Sequence, residues 1–255
     1  MSTNIVAFQT IVNKEISRFM RIWTQTLLPS AITQTLYFLI FGGFVGSQIP
    51  AVDGVSYMQF IVPGLVMMAV ITNAFSNTVS SFFGIKFQRN IEELMVAPVS
   101  DSAIIWGYTI GGALRGILVG FIVWGISFIF TQTSIAHPLI MLGFVTLTSV
   151  IFSLLGLCNG IFAKKFDDVG IVTSFVLTPL TYLGGVFYSI NRLPPFWQGV
   201  SRFNPIVYMV DGFRYGFFGK SDINVNLSFG LLVVLMVAIA STNYYLFKKG
   251  VGLKS

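Results

Sequence analysis

The sequence predicts an all-α, polytopic membrane protein with six transmembrane helices, and three observations carry that prediction. Six apolar stretches run over Leu27–Val45, Tyr57–Phe83, Ala103–Phe130, Pro138–Ala163, Val169–Ser189 and Leu227–Phe247. Each is close to or beyond the roughly 20 residues that a helix needs to cross a bilayer core. Charged residues are only 9% of the 255-residue chain, and five of the six stretches contain none. The stretches are uniformly apolar, whereas strands of a membrane barrel alternate over about 10 residues. The whole chain, 1–255, reads as one membrane domain. It divides into a lead-in helix over 1–26, a six-span core over 27–247 and a tail over 248–255. No segment outside the spans is long enough to bury a soluble core.

Residues 4–25 have the spacing of an amphipathic helix. Ile5, Phe8, Ile11, Val12, Ile16, Phe19, Met20 and Trp23 recur at helical intervals, with Lys14, Arg18 and Arg21 between them. Such a helix is expected to lie flat at the membrane surface with its cations toward lipid headgroups. The first 26 residues lack the apolar core of a signal peptide, so none is expected to be cleaved. Gly46–Ser56 and Thr131–His137 read as short outer turns. His137 is the only histidine and reads as solvated, and Cys158 is the only cysteine. No disulfide or cysteine metal cluster is expected.

Between the second and third spans, Phe87–Ser100 predicts a short helix. Ile91, Leu94 and Met95 share one face, Arg89, Glu92 and Glu93 are the polar set, and Pro98 ends it. A mixed-charge helix with an apolar strip suits docking into a groove on a soluble partner. It suits a plain solvated loop helix equally well.

The third span carries Gly112, Gly116 and Gly120 on one face, and Gly156 and Gly160 repeat the spacing in the fourth. Small residues four apart let helix backbones approach closely. Packing within the chain is the expected use, ahead of a dimer seam. Arg115 is the one charge inside a span, roughly 20 Å along the helix from Asp101. A central Arg costs at least about 2.5 kcal/mol on insertion scales. No span holds an acid to pair with it. Backbone carbonyls, Asn73, Asn77, Thr178 or lipid phosphates are the expected partners. A structural role is expected, with contact to an anionic substrate as the alternative. The last outer segment, Ile190–Asn226, contains Pro194-Pro195-Phe196-Trp197 and Asn204-Pro205-Ile206-Val207-Tyr208. Its aromatics and prolines suit short helices resting in the outer headgroup layer.

Charge orients the chain. Lys14, Arg18, Arg21, Lys86, Arg89, Lys164, Lys165, Lys248, Lys249 and Lys254 fall on one side. Arg192, Arg202, Arg214 and Lys220 fall on the other. The positive-inside rule then puts both termini in the cytoplasm. The net charge of +6 is explained by this bias, without nucleic acid as a partner. The spans hold no Asp, Glu or His, which weakens a proton-coupled transporter. No nucleophile–base pair is present, so catalysis is not expected. Gly219-Lys220-Ser221 imitates the end of a phosphate loop, but Arg214 stands where its first Gly belongs. ATP, if used, binds another chain.

Residues 89–100, Arg-Asn-Ile-Glu-Glu-Leu-Met-Val-Ala-Pro-Val-Ser, resemble the coupling-helix motif of type-2 ABC transporter permeases, whose usual form is close to Arg-x-x-Gly-Thr-Leu-Glu-x-Leu-x-x-x-Pro-x-Ser. Asn90-Ile91-Glu92 departs from it. Phe60-Ile61-Val62-Pro63-Gly64-Leu65 is similar to the family at the start of span two. So are Gly184-Gly185-Val186-Phe187-Tyr188, Leu193-Pro194-Pro195-Phe196-Trp197, Asn204-Pro205 and Asp211-Gly212-Phe213-Arg214. The likeness covers essentially the whole chain and extends to inner-membrane permeases of Gram-negative bacteria.

The resemblance implies an exporter of two permease chains, expected to be a homodimer, with two copies of a cytoplasmic ATPase. ATP and Mg belong to that ATPase, and this chain carries no cofactor or metal. Arg89, Asn90, Glu92, Glu93, Leu94 and Pro98 become the ATPase-coupling residues. Lys164, Lys165, Asp167 and Asp168 form a second, shorter contact, and the N-terminal helix becomes a lever at the inner surface. Spans one, two and five line the pathway, which makes Tyr37, Thr72, Asn73, Asn77, Thr178, Thr181 and Tyr182 its candidate lining, with Arg115 beside them. That lining suits an amphipathic or lipid-linked substrate. An ATP-independent scaffold or assembly protein, or a secondary transporter, is the alternative.

Overall fold

The computed structural model describes residues 3–52 and 54–252. Lys254 and the end of the expected tail lie outside them. The described residues are predominantly helical and include no strand. Helix α1 (Thr3–Arg21), the one-turn α2 (Trp23–Thr26) and α3 (Leu28–Tyr37) follow one another almost without a break. A π-helical stretch over Phe38–Val45 continues α3. Helix α4 (Tyr57–Phe87) starts at a capping box: the Ser56 hydroxyl accepts from the Gln59 N–H, and the Gln59 side chain accepts from the Ser56 N–H. The short α5 (Ile91–Val96) leads to α6 (Asp101–Phe130), capped by Ser100, and a turn leads to α7 (Pro138–Phe162). The last long helix is α12 (Val225–Lys249).

Five helical segments among the described residues are long and apolar enough to cross a bilayer: Trp23–Gln48, α4, α6, α7 and α12. Helix α4 is the axis of the bundle, with α6 and α7 packed on it. Glycine sets both contacts. A Cβ on Gly116 of α6 would stand 2.8 Å from the Ala74 Cβ, and one on Gly156 of α7 would stand 2.5 Å from the Phe75 carbonyl oxygen. The glycine faces are therefore spent on α4, within the chain, as expected.

The first and last described residues sit at one end of the bundle. Asn4 accepts from the Ser100 N–H at the start of α6, and Gly252 packs on Ile161 at the end of α7. This near end also carries α5 and the C-termini of α4 and α12. The turns before α4 and α7 form the far end, where Gln59 donates to the Gln132 carbonyl.

The expected fifth span is not one long helix. It consists of α8 (Phe166–Val172), a π-helical turn over Thr173–Leu177 and α9 (Thr178–Tyr182). Residues 166–182 reach only about 25 Å at 1.5 Å per residue, short of the roughly 30 Å core. The stretch starts at the near end, where Phe166 meets Phe83 and Phe87. The chain then turns at Gly184-Gly185 and reaches Tyr57 at the far end through Phe187. The helix passes through Pro179 by way of the π-helical turn and ends after Tyr182, at Gly184-Gly185, earlier than apolarity alone suggested.

The outer segment divides. Helix α10 (Pro195–Arg202) lies exposed, with Phe196 and Trp197 outward, as expected of a surface helix. Helix α11 (Pro205–Phe218) instead inserts between α7 and α12, and Ile206, Val207, Met209, Val210 and Phe217 have no solvent exposure. Gly212 and Gly216 permit this: a Cβ on Gly216 would stand 2.7 Å from the Met141 Cβ in α7. Asn204 fixes the entry by accepting from the Ile206 N–H and donating to the Leu180 carbonyl. Gly219, with φ +67°, ends α11 as a left-handed cap, so the apparent phosphate-loop remnant is a helix terminus.

Candidate functional site

The N-terminal helix does not lie flat and apart. Asn4 meets Ser100, Ile11 meets Gly107 and Glu15 meets Gly111, so one offset of 96 holds along α1. Helix α1 runs parallel to the first half of α6. Its buried stripe is Ile11, Glu15 and Phe19, and Glu15 has no solvent exposure. A Cβ on Gly111 would come within 2.5 Å of the Glu15 Cβ, so the missing side chain is what admits the carboxylate.

Glu15 organises a buried polar network. Its Oε1 accepts from the Ser81 hydroxyl. Its Oε2 accepts from Arg18 at 2.9 Å and from the Asn77 amide at 3.2 Å. Arg18 also donates to the Asn77 Oδ1 at 2.8 Å. That pulls it away from the lipid headgroups where sequence placed it. Arg115, 9% exposed, donates to the Thr26 carbonyl at 3.0 Å, the Asn73 Oδ1 at 3.1 Å and the Asn77 Oδ1 at 3.4 Å. Asn73 in turn donates to the Ser30 hydroxyl at 2.9 Å. Asn73, Asn77 and Ser81 recur every four residues on α4, and Thr26 and Ser30 keep that interval on the first span. The result is a polar ladder between α1, α3, α4 and α6. Of the side chains expected to partner Arg115, Asn73 and Asn77 bond it and Thr178 does not, since its hydroxyl donates to the Thr173 carbonyl. An acid on α1, Glu15, is joined to this charge through Asn77, which donates to Glu15 and accepts from Arg115.

Sequence reasoning missed Glu15, Thr26, Ser30 and Ser81. The signal for Glu15 was available, because it stands four residues from both Ile11 and Phe19 and so belongs to their stripe.

The other pathway candidates separate from this ladder. Tyr37 and Tyr182 share a 2.6 Å hydrogen bond between their hydroxyls. Both rings lie about 6 Å from that of Phe187, and Phe41 lies 4.7 Å from it. An aromatic seam thus joins the first span to the end of α9. Thr72, Thr178 and Thr181 spend their hydroxyls on carbonyls of their own helical stretches: Met68, Thr173 and Leu177.

At the near end, α5 is fastened by one edge. Ile91 is buried with Phe82, Ile104 and Ile105, and Leu94 packs on the same cluster. Glu92 and Glu93 face solvent in the first turn, where a helix N-terminus favours carboxylates. Met95, expected on the apolar face, is exposed. Asn90 donates to Gln88, and Pro98 follows the helix in an exposed turn. Arg89 has φ +62°, which favours glycine and costs an ordinary residue roughly 1 kcal/mol. In the second cytoplasmic segment expected from sequence, Lys164, Lys165 and Asp167 are exposed. The N–H groups of Lys164 and Lys165 bond the Asp168 carboxylate and hold it below the usual carboxylate range. His137 stays exposed, stacked on Tyr215. No cluster of metal-binding side chains occurs among the described residues.

Comparison with known proteins identifies the family of the chain. Residues 6–218 match the family described as ABC-2 type transporter. The chain is 58% identical over 250 residues to the inner membrane transport permease YadH of Escherichia coli (strain K12), covering 98% of each. It is 26% identical over 216 residues to Nodulation protein J of Rhizobium leguminosarum bv. viciae, covering 83% of this chain and 82% of that protein. Nodulation protein J of Neorhizobium galegae is 22% identical over 213 residues. The chain is therefore a membrane permease of the ABC-2 type transporter family.

Proposed function

We propose that this permease is the membrane half of an exporter driven by a separate cytoplasmic ATPase. The observation that supports it most is α5. Six residues cannot hold a helix in water unaided, and here Ile91 and Leu94 tie it to the base of α6 while Glu92 and Glu93 stay free for a partner. A push on those carboxylates passes directly into α4 and α6. Lys164, Lys165, Asp167 and Asp168 supply the second contact beside it. In this reading the near end is cytoplasmic, the membrane is the bacterial inner membrane, and two permease chains meet two ATPase subunits that carry ATP and Mg. The pathway runs along the seam of Tyr37 and Tyr182, whose aromatic walls suit an amphipathic or lipid-linked substrate. Asn73, Asn77 and Arg115 hold the bundle together behind it.

The test is reversal of the exposed pair, Glu92→Lys with Glu93→Lys. Like charges across a contact can cost several kcal/mol, and no span is altered. Permease levels should stay normal while ATPase co-purification weakens and export is lost. Full export with the ATPase retained would remove α5 as the drive contact.

A further inference from the structure

A groove of about 490 Å³ opens at the near end between the last turns of α4 and α7 and the residues after α12. Its floor is apolar: Phe83, Phe87, Ile161, Phe162 and Val251. Its rim is cationic: Lys86, Arg89 and Lys164. No carboxylate lines it among the described residues. Phe87 and Phe162 are more than half exposed, and Phe166 packs edge-on against Phe87 with ring centres 4.7 Å apart.

The two chemistries are stacked in depth. Phe83 and Phe162 belong to the closing turns of spans, whereas Arg89 and Lys164 come just after the ends of α4 and α7. A 31-residue helix is about 46 Å long. A bilayer with its headgroups is about 40–45 Å thick. Such a helix reaches through both headgroup layers, so the last turn of α4 lies in the near headgroup region, with Phe83 on its acyl side and Arg89 just beyond its end. Lys86 is already fixed in place, because its ammonium donates to the Ile161 and Ala163 carbonyls that α7 leaves open.

We propose that this groove binds an anionic phospholipid. Its phosphate rests among Lys86, Arg89 and Lys164, and an acyl chain lies along Phe83, Phe87 and Phe162. Basic pockets between helices at the cytoplasmic face hold anionic headgroups by this combination. An acidic loop of a soluble partner would meet the cations but leave a phenyl floor unfilled at bilayer depth. The groove shares Lys164 with the proposed ATPase contact, so lipid binding and ATPase co-purification are read separately.

The test titrates the purified full-length permease in detergent with phosphatidylglycerol, or with phosphatidylethanolamine of the same chains, and follows bound lipid by native mass spectrometry. The variant is Arg89→Asn with Lys164→Gln. It spares Lys86, and asparagine tolerates the left-handed backbone at position 89. Phosphatidylglycerol should bind the parent in preference to phosphatidylethanolamine, and on the order of tenfold more weakly to the variant. A control that removes two charges elsewhere at this end, Lys248→Gln with Lys249→Gln, should keep parental affinity. Equal affinity of parent and variant, equal loss in the control, or displacement by soluble glycerol 3-phosphate at matched concentration would overturn the proposal. So would a variant that keeps its lipid and instead loses ATPase co-purification, since the groove would then be a protein contact.

Discussion

A carboxylate without solvent exposure persists beside two guanidiniums only while all three keep their hydrogen-bond partners. Glu15, Arg18 and Arg115 meet that condition through Asn77, which accepts from both arginines and donates to the acid. Glu15→Gln keeps the shape and removes the charge, leaving two cations uncompensated. Removing one partner of a buried ion pair costs about 3–5 kcal/mol, so the variant should melt well below the parent in detergent and give less folded protein. Arg115→Ala should fail in the same way. If Arg115→Ala instead folds normally and changes only the substrate response of the ATPase, Arg115 belongs to the pathway. Arg115 and its partners Asn73 and Asn77 were legible in the sequence, because a lone charge in an apolar helix needs polar neighbours. Glu15 was passed over although its spacing from Ile11 and Phe19 put it on the buried stripe, because a charge on an amphipathic helix is ordinarily assigned to the wet face. Only the close approach allowed by Gly111 turns that face inward.

The helices that sequence read correctly are those whose contacts are made by long apolar runs with clean caps. Helices α4, α6, α7 and α12 fall within a few residues of their expected bounds, and α5 stops before Pro98. The two elements read differently, the 166–182 stretch and α11, depend on local backbone chemistry. One ends short, at Gly184-Gly185, and the other is admitted to the core by Gly212 and Gly216. Composition averages over such residues, so apolarity overstated the first and understated the second. Helix α1 is the third case. A lever would swing relative to α6, whereas in this structure α1 keeps one offset along α6 and buries its acid there. Cross-linking Asn4→Cys to Ser100→Cys should therefore leave transport intact in the assembled complex. Loss of transport on cross-linking, recovered on reduction, would show that α1 moves against α6 during the cycle.

At the scale of the whole molecule, the first and last described residues share the end that carries most of the basic residues. A reporter fused after Ser255 should be active only if it works in the cytoplasm, and periplasmic activity would reverse the orientation. The polar ladder also imposes an order of events on synthesis. Glu15 and Arg18 leave the ribosome first, yet Asn77 follows Arg18 by 59 residues and Arg115 follows Thr26 by 89. At about 5–20 residues per second, the amphipathic N-terminus waits several seconds before its slot exists. During that time the membrane surface is the one place that suits its cations and phenyl rings. The third span, for its part, brings in its charge after every group that accepts from it, Thr26, Asn73 and Asn77, has already been made. The membrane surface is thus the expected waiting place of the nascent N-terminus, and the ladder around Glu15 is complete only once the third span has supplied Arg115.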